Sequence, residues 1–96
     1  MFLLKLTSAA EKDIDQAIEW YNVRKENLGN EFLEELRENL EMVRSNPKLF
    51  PVKYFPYHEF PLKRFPYVVA YIVRKQTIII KSVMAAKMHP AKKYRK

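Results

Sequence analysis

Tyr67-Val-Val-Ala-Tyr-Ile-Val-Arg74, followed across Lys75-Gln76 by Thr77-Ile-Ile-Ile-Lys-Ser-Val-Met84, is the stretch that decides the fold. Both runs are rich in β-branched and aromatic residues, which suit a pleated, half-buried surface. The polar link Arg74-Lys75-Gln76 predicts the turn of an antiparallel hairpin. The nearly continuous apolar character predicts central strands, in a sheet whose one face is covered by helices.

Upstream, Phe-Pro occurs at 50–51, 55–56, 60–61 and 65–66, a period of five. Five is odd and a strand alternates faces with period two. One continuous strand would send successive rings to opposite faces, and four prolines would interrupt its ladder. The segment is therefore expected as two short strand pieces with irregular joints, with Tyr54, Tyr57 and the Phe rings packing on both sides. A solenoid is excluded, because its repeats are far longer.

The first half reads as two helices after a short strand. Phe2, Leu4 and Leu6 alternate with Leu3 and Lys5. Ser8-Ala-Ala-Glu11 has the spacing of a capping box. Ile14, Ala17, Ile18 and Tyr21 then follow the spacing of one helical face. A helix is expected over 8–27, with the sole glycine, Gly29, as the left-handed stop. Asn30 is expected to cap a second helix with Phe32, Leu36, Leu40 and Val43 on one face and Glu31, Glu34, Glu35, Glu38 and Glu41 on the rest. Pro47 disfavours helix at Asn46 and ends it. So short a link predicts an antiparallel helical hairpin, and neither helix buries its stripe without a sheet. The expected fold is α+β, β-α-α-β-β-β, with the helical hairpin on one face of a largely antiparallel sheet. Residues 1–96 read as one domain, of which 85–96 form a basic C-terminal tail.

Charge divides along the chain. Residues 1–48 hold 7 basic and 10 acidic side chains, net −3, whereas residues 49–96 hold 11 basic and a single acidic one, Glu59, net +10. Such a basic half calls for a polyanionic partner: nucleic acid, an anionic membrane face or an acidic protein segment. The absence of Cys removes disulfides, thiolate metal sites and a Cys nucleophile. With one Gly there is no phosphate-cradling loop, and His58 and His89 lie too far apart in sequence to form a metal pair at helical spacing. No cofactor is expected. Lys5 interrupts the apolar start Met1-Phe2-Leu3-Leu4, and no run approaches the roughly 20 residues of a membrane span, so the chain is expected to be soluble and cytoplasmic.

What remains is a titratable set in the basic half. Metal-free RNA cleavage requires a base for the ribose 2′-OH, an acid for the leaving 5′-oxygen, and cations for the crowded phosphate charge. His58 is the candidate for proton transfer because its ordinary pKa lies near neutrality, with Glu59 beside it. Lys53, Lys63, Arg64, Lys87, His89, Lys92, Lys93 and Arg95 are the candidate phosphate contacts. The bland alternatives are a half-exposed strand histidine, a loop residue before Pro90 and a solvated basic end. Trp20 and Tyr21 read as packing residues.

Arg64-Phe65-Pro66-Tyr67-Val-Val-Ala-Tyr71 resembles the RFPY strand motif of the RelE/ParE superfamily of bacterial type II toxins. So do the short first strand, the Glu-Trp-Tyr at 19–21, Leu28-Gly29-Asn-Glu-Phe32 opening the second helix, and Asn46-Pro47 closing it. The resemblance covers essentially the whole chain. It implies a toxin held by an acidic, poorly ordered antitoxin segment, which would give the basic half its partner. In the RelE branch the free toxin cuts mRNA on the ribosome without metal; in the ParE branch it poisons DNA gyrase. Related toxins often carry Arg where this chain has His58, and His where it has Ala85. Arg64 holds the position of the usual cation, and Tyr94 stands in for the C-terminal Tyr of some RNase members. Three readings follow. The first is an mRNA-cleaving toxin with His58, Glu59, Arg64 and Tyr94 in catalysis. The second is a gyrase poison, and the third is an inert member that only binds a partner.

Overall fold

The computed structural model describes residues 2–87. The element order is β1 (Leu3–Leu6), α1 (Ser8–Arg24), α2 (Leu28–Ser45), β2 (Val52–Tyr54), β3 (Tyr57–Pro61), β4 (Tyr67–Arg74) and β5 (Thr77–Ala85). The strands form one sheet in the order β1-β5-β4-β3-β2, with β1 parallel to β5 and the other neighbours antiparallel. The expected hairpin is the centre of this sheet, β5 extending one residue beyond its expected end into the segment read as tail. The Phe-Pro segment folds as two short strands. Phe50, Phe60 and Phe65 turn into the core, while Phe55, 90% exposed, projects at the turn between β2 and β3.

Both helix starts differ from the sequence reading by a physical cause. Thr7, not Ser8, is the cap of α1. Its backbone is extended (φ −71°, ψ 161°) and its Oγ1 accepts from the Ala10 amide at 3.0 Å, so the reciprocal Ser8–Glu11 box does not form. The link between helices starts at Lys25, because α1 stops at Arg24, short of the expected residue 27. Its left-handed residue is Asn27 (φ 70°), and Asn30 lies inside α2 rather than capping it. Gly29 is not a left-handed stop. It sits in the first turn of α2, where a Cβ would lie 2.4 Å from the Ile18 carbonyl oxygen and 2.8 Å from Asn22 Cγ and Oδ1. The glycine lets α2 touch α1, and its amide donates to Asn22 Oδ1 at 2.7 Å.

The helices bury Ala10, Ile14, Ala17, Tyr21, Phe32, Leu36, Leu40 and Val43 against Phe60, Val69, Tyr71, Ile78, Ile80 and Val83 of the sheet. Tyr71 pairs with Ile80 and Ala70 with Ser82, leaving Lys81 as an extra residue in β5. The bulge changes the parity of the strand, so even-numbered Ile78 and Ile80 and then odd-numbered Val83 face the helices. Beyond Leu6 strand β1 no longer covers β5, and the Asp13 carboxylate of α1 takes the Val83 amide instead, at 3.0 Å.

Candidate functional site

The RFPY stretch is a junction whose four residues go to four places. Phe65 enters an aromatic cluster, edge-on to Tyr21 (centroids 4.9 Å) and to Phe32 (5.4 Å). The Pro66 carbonyl accepts from the Ala86 amide at 2.7 Å, tying the loop to the end of β5. Tyr67 lines a cleft of about 320 Å³ with Trp20, Tyr21, Pro66, Ala85 and Lys87. Arg64 turns the other way, toward α2, where its Nη2 meets Glu31 Oε1 at 2.7 Å.

Two carboxylates one helical turn apart hold this loop. Glu35 accepts from the backbone amides of Lys63 (2.5 Å to Oε2) and Arg64 (3.2 Å to Oε1), while Glu31 takes the Arg64 guanidinium. Both glutamates lie, as expected, off the apolar stripe of the helix. The available signal was their i,i+4 spacing on the helix preceding the basic loop.

The candidate residues divide between two ends of the molecule. Lys63, Arg64 and Lys87 lie at one end of the sheet, where β3 ends and β5 ends, but open onto different clefts: Lys63 and Arg64 toward α2, Lys87 beside Trp20 and Tyr67. His58 belongs to the other end. It lines a cleft with Ser45, Pro47, Lys48, Phe50 and Val73, beside β2 with its exposed Lys53. About 10 Å of strand separates His58 from Pro61 at ~3.3 Å per residue, with loop residues 62–64 beyond it. Glu31, which holds Arg64, and Ser45, which borders the His58 cleft, stand about 21 Å apart along α2 at ~1.5 Å per residue. Glu59 neighbours His58 on a strand, so the two side chains point to opposite faces of the sheet. His89, Lys92, Lys93, Tyr94 and Arg95 lie outside the described residues.

His58 is built into its surroundings. Its ring stacks on Tyr71 (4.8 Å, 10°), its cross-strand partner, and Nδ1 lies 2.7 Å from the Phe50 carbonyl oxygen. A carbonyl only accepts, so Nδ1 carries the proton, and Nε2 is the ring atom left to act as a base. Tyr71 is buried and donates to the Pro47 carbonyl at 2.8 Å. Burial pushes its phenol up to about 12, against a smaller opposing effect of the Phe50 backbone.

Asp13, Trp20 and Tyr67 line a second cleft, of about 290 Å³, that shares Trp20, Tyr67 and Ala85 with the first. Burial raises the Asp13 carboxyl, against the hydrogen bond from Val83. Burial and then the Asp13 charge raise the Tyr67 phenol. Burial raises Tyr21 as well, followed by the effect of Tyr67 and opposed by Arg24. Tyr21 packs as expected. Trp20 is 49% exposed, with the Arg24 guanidinium 3.2 Å from its ring centroid. Among the described residues no group of three His, Cys, Asp or Glu is placed to hold a metal ion, and no helix is long and apolar enough to cross a membrane.

The family model for the ParE toxin of the type II toxin–antitoxin system parDE matches residues 4–90. Among solved structures, a chain of the chromosomal ParDE system from P. aeruginosa superimposes with a TM-score of 0.80 at 19% identity, covering 91% of this chain and 98% of that one. The isolated E. coli RelE toxin gives 0.70 at 22% identity, covering 96% and 92%. A chain of the intact E. coli RelBE toxin–antitoxin complex gives 0.68 at 22%, covering 92% and 100%. At these identities the likenesses establish the fold. No curated protein matches the sequence significantly.

Proposed function

This chain belongs to the ParE toxin family of type II toxin–antitoxin systems, and from that membership we propose that it arrests growth by binding DNA gyrase in the cytoplasm, not by cutting RNA. One observation carries the choice. His58, Glu59 and Arg64, the groups a metal-free nuclease would have to bring around one phosphate, are divided between two faces and two ends of the sheet. Poisoning by binding needs no acid–base pair, and it accommodates Ala85 at a position where related nucleases often carry His. In this reading Lys63, Arg64 and Lys87 are contact residues at the target. Supercoiling by purified gyrase should fall as toxin is added in excess. Unimpeded supercoiling at that excess overturns the reading.

Ribosome-dependent mRNA cleavage is the second reading. It is favoured by Nε2 of His58, an available base in a cleft beside Lys48 and Lys53. It predicts new in-frame mRNA 5′ ends within minutes of induction; their absence eliminates it. The partner implied by membership is an antitoxin. The net charge of +10 over residues 49–96 supports an acidic segment as the part that holds the toxin. A small acidic protein encoded in the neighbouring reading frame, co-purifying with this chain at low salt, is the expected observation. A neighbour with a basic toxin-binding segment would contradict it.

A further inference from the structure

Arg64 lies on a loop of five residues, 62–66, that contains no glycine and belongs to neither strand it joins. Such a loop needs its amides satisfied and its position fixed. Leu62 donates to the Tyr67 carbonyl at 2.9 Å and Tyr67 to the Phe65 carbonyl at 2.7 Å. The two consecutive amides in between, of Lys63 and Arg64, converge on a single carboxylate from another element, Glu35 of α2. Successive N–H groups pointing into one concavity form a nest for an anion, and here the anion is part of the chain.

The consequence falls on Arg64. Glu35 fixes its backbone nitrogen, and the buried Phe65 ring fixes the residue that follows. The Arg64 Cα is held from both sides, and its freedom is confined to the side chain. One turn earlier on α2, Glu31 meets the far end of that side chain. The Glu31 contact is an exposed ion pair, which a polyanionic partner exchanges for its own charge. The Glu35 contact is made to two consecutive backbone amides and not to the guanidinium. The two glutamates therefore differ in role although they sit four residues apart.

We propose that Glu35 is a positioning residue for Arg64: its carboxylate nucleates the 62–66 loop and presents the guanidinium to the target, which Glu35 itself does not touch. This rests on the reading of Arg64 as a contact residue. It names a helix residue as part of the apparatus that reads the target.

The experiment uses the full chain in two measurements. In the first, amide NMR compares the wild type with E35Q at one pH. The Lys63 and Arg64 amides should both shift in E35Q, more than amides elsewhere in the chain. Unchanged Lys63 and Arg64 amides overturn the proposal. In the second, growth is followed on induction of wild type, R64A, E35A and the double variant E35A/R64A. Loss of arrest in R64A and in E35A, with amide spectra outside 60–68 unchanged and the double variant no weaker than R64A, supports positioning. Full arrest by E35A when R64A has lost it overturns the proposal. Full arrest by R64A overturns the contact reading instead, and the amide comparison then decides the role of Glu35 alone. Should E35A fail to fold, E35Q takes its place, since it removes the charge and leaves a single carbonyl oxygen for the two amides. A folded E35Q with undiminished arrest and a displaced Arg64 amide overturns the proposal as well.

Discussion

Substituting Gly29 tests the claim that the glycine exists for helix contact. An added Cβ meets the Ile18 carbonyl at 2.4 Å, against ordinary contact at 3.4–4 Å. To restore contact the helices must part by about 1 Å, which forfeits a quarter to a half of the dispersion energy of each pair across the gap. Overpacking of this kind costs about 1–3 kcal/mol. Relief by rotating Asn22 away breaks its bond to the Gly29 amide, for about 1 kcal/mol more, and does nothing for the backbone oxygen. Against these stands the helix preference for Ala over Gly, up to about 1 kcal/mol. The balance is about 2 kcal/mol of destabilisation, or roughly 8–16 °C in Tm for a chain of this size. Thermal melts followed by circular dichroism give the answer. Gly29→Asn discriminates further: a left-handed site accepts Asn best after Gly, whereas a helix contact rejects Asn more strongly than Ala. The expected order of Tm is wild type, then Ala, then Asn. An Ala variant as stable as wild type, or an Asn variant above Ala, refutes the contact argument.

Tyr71→Phe leaves the Pro47 carbonyl without its donor and should cost about 1–2 kcal/mol in urea unfolding; no change would mean that water replaces the phenol. In the wild type, ultraviolet titration should place one tyrosine at about 12, and ionisation of every tyrosine near 10 contradicts the buried geometry. For Asp13 the folded carboxyl lies above its ordinary 3.8 because of burial, so the charged form is penalised in the folded state. That penalty is complete above the folded pKa, shrinks as pH falls through it and vanishes below 3.8. Asp13→Asn keeps an acceptor for the Val83 amide, so its stability relative to wild type should be most favourable near neutrality and decline toward acid. A constant difference across pH would show that the carboxyl is not desolvated. Glu31→Gln breaks an exposed pair and should change stability by less than about 1 kcal/mol, measured by the same unfolding; a larger loss would give Glu31 a structural role.

The central hairpin was legible because its signal is compositional and local. Tyr67–Arg74 was placed to the residue, and the two short strands within the Phe-Pro segment followed from the clash between a period of five and the alternation of a strand. Caps were less legible. Thr7 and Ser8 both carry a hydroxyl, and only the extended backbone at Thr7 selects it. Gly29 was misread because glycine answers two needs, a left-handed turn and a close approach, and the second depends on a helix partner that periodicity does not reveal. The bulge at Lys81 has no local mark. Arg64 stands out through its motif, whereas its tie to Glu35 leaves no local mark, because the partners of Glu35 are backbone amides 28 and 29 residues away. The separation of His58 from Arg64 depends on which strand end meets which helix end, and residue types alone carry no such information.

Strand β5 lies between β1 and β4, yet it is made last among the described strands. Until it emerges from the ribosome, Leu3–Leu6 has no neighbour to pair with, and contacts such as Thr7 to Lys81 and Asp13 to Val83 span 74 and 70 residues. The nascent chain therefore carries an open slot between β1 and β4 until β5 is made, and closure is a long-range event. Chains interrupted before residue 80 lack the strand that joins the two edges and cannot assemble this sheet. The finished sheet is thus confined to polypeptides in which β5 has already been made, a dependence on length built into strand order.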